Sequence, residues 1–268
     1  MTHSPATAIT GRAIRRIILQ QAHRAHVGHI GSGLSVADLL AALYGGVLRI
    51  PAPRDPQRDR LILSKGHAAL ALYAVLHLKG WLDAATLESY CGDDSRLGVH
   101  PEFELPGVDF ATGSLGMGFS MATGAALAAR LQGSERRIYC VVSDAECNEG
   151  VVWEAMAFAA QRRLDNLTVL IDLNRQQAIG YTREVLDMSN MAQRWCAFGW
   201  QAEELDGHDR AALERALTGP LSGVPRVLVC RTTFGQGVSF MENQIPWHYL
   251  PMTPEQYEQA LREVENAS

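Results

Sequence analysis

The sequence predicts an α/β protein built on a doubly wound, mostly parallel sheet with helices on both faces. Residues 137–142 (RIYCVV) and Leu167–Leu173 (LTVLIDL) are short apolar runs, and residues 149–163 between them carry helical periodicity. Strand, helix, strand in that order is a βαβ unit, which requires parallel pairing. Two further strand-like runs, 200–205 and Arg226–Arg231, flank a helical pattern at 209–217. No repeat, low-complexity tract or linker divides the chain, so residues 1–268 are expected to form one domain.

The remaining elements follow in order. Residues 9–25 alternate Arg with Ile, Leu and Ala at helical spacing. Ser35-Val36-Ala37-Asp38 reads as a capping-box-like start to a helix whose apolar face is Leu39, Leu40, Leu43 and Tyr44. Gly45-Gly46 ends or loosens that helix, and a proline-bearing loop at 51–56 leads to a short strand at 60–64. A helix is predicted at 67–79 and irregular chain at 91–113. The Gly- and Ala-rich run 115–131 predicts a buried helix whose small residues allow close backbone approach. Residues 253–267 predict an exposed amphipathic helix.

A chain of 268 residues, 47% hydrophobic, can bury a core without disulfides or a structural metal. The net charge of −5 carries no strongly basic footprint for nucleic acid, and the 24 basic residues are all Arg except Lys65 and Lys79. Five cysteines without C-x-x-C spacing point to a reducing, cytoplasmic setting. No run is long enough for a membrane span, and residues 1–10 lack the pattern of a secretory signal.

Asp144 lies just beyond the first strand of the βαβ unit and Asn174 just beyond the second. Parallel strands deliver both side chains to the carboxyl edge of the sheet, where open α/β sheets bind ligands. If these two strands are neighbours, their ends lie about 4.8 Å apart, and a carboxylate and an amide oxygen there can share one hard cation. Taken alone, Asp144 serves equally well as a helix cap and Asn174 as a turn residue.

The surrounding residues decide between these readings. Ser143-Asp144-Ala145-Glu146-Cys147-Asn148-Glu149-Gly150, followed by Asp172-Leu173-Asn174, resembles the thiamine-diphosphate motif, G-D-G with a later Asn. Gly28-His29-Ile30-Gly31 is similar to G-H-P-G, and residues 59–67 (DRLILSKGH) to D-R-x-x-L-S-x-G-H. Gly98-Val99-His100-Pro101-Glu102 is similar to G-x-H-P-E, and Thr112-Gly113-Ser114-Leu115-Gly116 to T-G-P-L-G. These ordered blocks resemble the diphosphate-binding (PP-type) portion of the transketolase family.

The resemblance implies a thiamine diphosphate site with Mg²⁺, or Ca²⁺ in its place. Asp144 and Asn174 would ligate the metal by side chain and Gln176 by its backbone carbonyl. Ser143, Ala145 and Glu146 would shape the diphosphate loop, with Ala145 where the family has a glycine, and His67 would contact the diphosphate. Gly113, Ser114 and Leu115 would meet the cofactor rings. His29, His100 and His248 would face the donor sugar, with His248 also near the cofactor. Glu149 matches a buried acid that links two cofactor sites across a subunit interface. The residues themselves point the same way, since His29, His67, His100 and His248 each sit beside a glycine, proline or aromatic in a loop rather than on a helical face. Imidazoles there can exchange protons near neutral pH. His3, His23, His77 and His208 are expected to be structural, His26 takes no assigned role, and Cys147 is expected to be a packing thiol.

Two departures stand out. Ser143-Asp144-Ala145 replaces Gly-Asp-Gly, and a Cβ at 145 is tolerated only outside the glycine-restricted dihedrals. The chain also closes with residues 237–243 (GVSFMEN) and then Trp247-His248, like the N-terminal subunit of a split transketolase. The expected partner is a separate C-terminal transketolase-like subunit, giving an α₂β₂ assembly acting on a sugar or sugar phosphate. Other readings are transfer of the two-carbon unit to a carrier thiol, a lipoyl group or an unusual sugar, a relative using a keto acid, or a non-catalytic scaffold subunit.

Overall fold

The computed structural model describes residues 8–266. Its elements are α1 (Gly11–Ala25), α2 (Ile30–Ser35), α3 (Ala37–Ala42), β1 (Arg60–Leu63), α4 (Ala69–Leu78), α5 (Ala84–Glu88), α6 (Met117–Leu131), β2 (Ile138–Ser143), α7 (Gly150–Gln161), β3 (Leu167–Leu173), β4 (Gln176–Gln177), β5 (Gly180–Tyr181), α8 (Thr182–Val185), α9 (Met191–Ala197), β6 (Gln201–Asp206), α10 (Arg210–Thr218), β7 (Arg226–Arg231) and α11 (Pro254–Asn266). The five long strands form one sheet in the order β1-β2-β3-β7-β6, and every pair in it is parallel. The expected doubly wound α/β architecture is therefore present.

Burial on both faces explains why β2, β3 and β7 read as near-continuous apolar runs, whereas the edge strand β6 (QAEELD) is largely exposed. Ile138, Cys140 and Val142 of β2 pack into a core with Phe119 of α6 and Met156 of α7. Tyr139 and Val141, pointing the other way, join a second core with Leu39 of α3 and Tyr73 of α4.

The structure corrects three expectations. Ser35 does not start a helix, because the chain is already helical from Ile30. Its hydroxyl is shared instead between the Ser32 carbonyl (3.0 Å) and Asp172 Oδ2 (2.8 Å), while Asp38 pairs with Arg15 and His208. The C-terminal helix is amphipathic but not simply exposed: Ala260 and Val264 are buried in the core that α1 also lines. Its last predicted residue, Ala267, lies outside the described residues, as do His3 and most of the segment that lacks a secretory pattern. The helix predicted from Leu115 begins at Met117, since Gly116 before it has φ 80°. The small β4–β5 hairpin and helices α5, α8 and α9 are short elements that the sequence pattern does not predict. No helix of the described residues is long and apolar enough to cross a membrane.

Candidate active site at the carboxyl edge of the sheet

The ends of β1, β2, β3 and β7 deliver Lys65, Asp144, Asn174 and Thr232 to one edge. Strand register sets this arrangement. Ser143 pairs with Asp172 and Leu173 with Arg231, so the residues that follow emerge side by side. Asp144 and Asn174 thus follow two strands, as the sequence predicts, and those strands are neighbours in the sheet.

Asp144 is fully buried. Its Oδ2 accepts from the Arg175 N–H (2.8 Å) and the Thr182 hydroxyl (3.1 Å), and its Oδ1 from the Ala145 N–H (2.9 Å). Burial, reinforced by the nearby Asp172 carboxylate, pushes its pKa up to about 7. Asn174 Oδ1 accepts from the Gln176 N–H (3.0 Å), and its Nδ2 donates to Asp172 Oδ2 (2.9 Å). Both ends of the buried Gln176 side-chain amide lack a hydrogen-bond partner in the protein. A cavity of about 660 Å³ is lined by Asp144, Asn174, Arg175, Gln176, Thr182 and Asn243, among others.

These donors fit a hard cation. A desolvated carboxylate held next to a second one gains from a positive charge, and Asn and carbonyl oxygens suit Mg²⁺ or Ca²⁺. Among the described residues no cluster of three His, Cys, Asp or Glu side chains is arranged to hold a metal. A cation at Asp144 would therefore take its other ligands from amide and carbonyl oxygens, and from a ligand.

Ala145 opens a 3₁₀ turn (Ala145–Asn148) and is not among the left-handed residues, so its Cβ adds no backbone strain. The Ser143 hydroxyl accepts from the Glu146 N–H (3.2 Å) and donates to Glu146 Oε2 (3.3 Å), which closes the turn. Glu146 also accepts from the N–H of Ser143 and of Gly116 (both 2.8 Å) and from the Ser64 hydroxyl. One buried carboxylate thereby ties together the loops at 64–67, 113–116 and 143–146. Burial raises its pKa, against the pull of those donors.

Four histidines arrive from four separate segments, His29 and His100 on loops and His67 and His248 in the short 3₁₀ turns Gly66–Ala68 and Ile245–His248. His29 sits at φ 59° before α2, and its N–H donates to the His248 carbonyl (3.2 Å). The His29 and His67 rings lie 5.7 Å apart, and the His248 ring packs 4.4 Å from Phe234. A Cβ on Gly113 would stand 3.2 Å from the His100 ring, so the 113–115 loop lies against that histidine. Burial lowers the pKa of His248 to about 4, with help from Lys65 and His29. Burial also holds His67 well below its usual value, assisted by Lys65 and the other three imidazoles. His29 is lowered by burial and by His100. Neutral rings can both donate and accept hydrogen bonds, and His29 Nδ1 and His248 Nε2 are buried without a protein partner.

Ser114 and Leu115 are exposed beside this cluster, and Glu149 is exposed on the single chain, so the buried acid of its segment is Glu146. Three histidines expected to be structural have structural partners: His23 stacks on Tyr257, His77 bonds the Leu82 carbonyl, and His208 bonds Asp38. His26 caps α1 in a left-handed conformation. Cys147 is buried and packs as expected.

Sequence reasoning missed the pair at the centre of the site. Lys65 and Asp172 are fully buried and form an ion pair. The Lys65 charge acts on Asp144, Glu146, His67 and His248, joining the Asp144 side of this edge to the histidine side. The only signals were a charged residue in a loop motif and an Asp two positions before Asn174.

The sequence pattern of the family described as "Transketolase, thiamine diphosphate binding domain" matches residues 7–264. The chain is 38% identical to a named subunit of the apulose-4-phosphate transketolase of Phocaeicola vulgatus, covering 93% of this chain and 90% of that protein. It is 39% identical to the 6-deoxy-6-sulfo-D-fructose transketolase subunit SqwG of a Clostridium species, covering 94% of each. The transketolase structure from Campylobacter jejuni superposes with a TM-score of 0.90 at 29% identity, covering 100% of this chain but 44% of that one. The chain spans less than half of that solved enzyme and nearly the full length of the named subunits. Motifs, fold and relatives agree: the chain belongs to the transketolase family and comprises its thiamine diphosphate binding domain.

Proposed function

We propose that the chain is the cofactor-binding subunit of a two-component transketolase that moves a two-carbon ketol unit from a ketose or ketose phosphate to an acceptor. The observation that carries this reading is the convergence of His29, His67, His100 and His248 with Asp144 and Asn174 around the buried Lys65. The relatives from Phocaeicola and Clostridium are each named as one subunit of a transketolase, which supports a separate partner chain. An α₂β₂ assembly is the symmetric arrangement we favour.

In this reading Asp144, Asn174 and the Gln176 carbonyl hold Mg²⁺, or Ca²⁺, and His67 borders the diphosphate. Ser143, Ala145 and Glu146 shape the diphosphate loop, and Gly113, Ser114 and Leu115 meet the cofactor rings. Bound thiamine diphosphate supplies the electron sink for breaking the donor C2–C3 bond. The protein positions the substrate and manages its protons. His29, at Nδ1, and His248, at Nε2, each offer a buried nitrogen to a substrate hydroxyl, and His100 lies beside them. Glu149, exposed on this chain, becomes an interface acid facing the partner. The free cysteines favour a cytoplasmic setting.

Calorimetric titration of thiamine diphosphate with Mg²⁺ tests the proposal, on this chain alone and then with the partner subunit. Binding that tightens with the partner, together with ketol transfer by the pair only, is expected. Turnover of a ketose by the chain alone overturns the two-component assignment. Absence of cofactor binding in both preparations overturns the enzyme assignment.

A further inference from the structure

The Asn174 amide is held from both ends. Its Oδ1 accepts from the Gln176 N–H at 3.0 Å and its Nδ2 donates to Asp172 Oδ2 at 2.9 Å. The same Asp172 oxygen accepts from Ser35 Oγ at 2.8 Å and from Lys65 Nζ, while Oδ1 accepts from the Thr232 hydroxyl. Those partners come from α2, the loop after β1 and the loop after β7. Asp172 itself is the penultimate residue of β3, fully buried and in register with Ser143 and Cys230. Both members of the Lys65–Asp172 pair have no exposed side-chain surface.

We propose that Asp172 is a positioning residue: its carboxylate, fixed by Lys65, Ser35 and Thr232, locks the Asn174 amide with its oxygen on the Gln176 side, where Asp144 and the Gln176 carbonyl complete the cation site. The two ends of an amide differ little in size, so shape alone does not choose its orientation. Hydrogen bonding does. Turning the Asn174 amide over would set its oxygen against the Asp172 carboxylate and its NH₂ against the Gln176 N–H, giving two repulsive contacts in a buried site. A carboxylate can only accept, so it enforces the donor end of Asn174, and the Lys65 charge offsets the cost of burying it. An acid one step behind a metal ligand commonly governs that ligand's affinity in this way. The ion pair would thus act on the cation through one amide without touching it.

This inference rests on the cation-site reading above, and its test separates the two. Free and bound Mn²⁺ are measured by electron paramagnetic resonance in the assembled enzyme with saturating thiamine diphosphate. Asp172→Asn, which offers Asn174 no obligate acceptor, is expected to weaken Mn²⁺ binding by about 10–100-fold. Thr232→Val and Ser35→Ala keep the charge pair but free the carboxylate, and smaller losses of several-fold are expected. Asp59→Asn is the structural control. Asp59 is equally buried and accepts from the N–H groups of Arg49 (2.9 Å) and Arg137 (2.8 Å), away from the cation ligands. This control is expected to lower the melting temperature and leave Mn²⁺ affinity unchanged.

Unchanged Mn²⁺ affinity in folded Asp172→Asn overturns the proposal, and so does an equal loss in Asp59→Asn. If Asp172→Asn does not fold, unchanged affinity in both Thr232→Val and Ser35→Ala overturns it. Failure of the unaltered enzyme to bind Mn²⁺ overturns the cation site itself and this inference with it. Binding by the unaltered enzyme that no variant weakens overturns the inference alone.

Discussion

The His29 N–H donates to the His248 carbonyl at 3.2 Å, so two imidazoles from opposite ends of the chain are fixed through the backbone rather than through their rings. The rings remain free for a ligand, and His29 Nδ1 and His248 Nε2 have no protein partner. Close packing enforces the contact. A Cβ on Gly28 would lie 2.4 Å from the Tyr249 carbonyl, so that position accepts only glycine.

His248 should stay neutral across the working range, because burial, with Lys65 and His29, lowers its pKa to about 4. Protonation would begin only as pH falls toward 4, so the acid limb that His248 imposes on kcat/KM belongs well below its ordinary value of 6.5. A pH–rate profile of the assembled enzyme checks this. An inflection near that ordinary value that disappears in His248→Asn contradicts it.

Asp144 gives a stability signature of the opposite sign from an ordinary salt-bridged acid. Its folded pKa is raised to about 7 from 3.8, so the folded chain holds that proton more tightly than the unfolded one. Its contribution is therefore least costly below about pH 4, and stability of the cation-free chain falls as pH rises toward 7, by on the order of a few kcal/mol. Asp144→Asn should raise the melting temperature of the cation-free chain at about pH 8, and it should abolish the additional rise produced by Mg²⁺ with thiamine diphosphate. Thermal melts at about pH 5 and about pH 8, on either side of the folded pKa, measure both effects.

The sequence made the sheet legible because its inner strands β2, β3 and β7 are buried on both faces, leaving apolar runs such as LTVLIDL with turn residues at their ends. Asp144 and Asn174 were readable because their place after two strands follows from parallel topology. The Lys65–Asp172 pair was not. Its partner Ser35 lies 137 residues from Asp172, and only folding brings α2 against the end of β3. Local pattern assigned Ser35 to a helix cap, and a long-range hydroxyl–carboxylate bond overrode it. The histidines fell between these cases: their loops were evident, whereas their shared environment depends on non-local packing.

Ala145→Gly tests whether departure from the glycine motif costs anything. Ala145 already sits in a 3₁₀ turn without a left-handed φ. Glycine there should lower stability by roughly 0.5–1 kcal/mol through greater freedom of the unfolded chain, with thiamine diphosphate affinity unchanged. Chemical denaturation and calorimetry read the two quantities separately. A large gain in cofactor affinity would show that the Cβ obstructs the diphosphate.

Gly116 is the residue on which the loop-to-helix junction depends. Its φ of 80° disfavours any side chain, and a Cβ there would lie 2.7 Å from Val151 Cγ1 and 3.0 Å from Val152 Cγ2 at the start of α7. Its N–H also donates to Glu146 Oε1, and the same carboxylate closes the 143–146 turn. Gly116→Ala should therefore cost more than about 1 kcal/mol of stability, and the displaced loop should weaken thiamine diphosphate binding. Gly124 lies on the helix that follows, and an added Cβ there meets nothing within 4 Å. Gly124→Ala should stabilise the isolated chain by roughly 0.5–1 kcal/mol, because alanine gives up less backbone freedom in a helix. Urea denaturation of both variants compares them directly. Equal effects of the two substitutions would mean that the left-handed turn at Gly116, and its bond to Glu146, do not control this edge of the site.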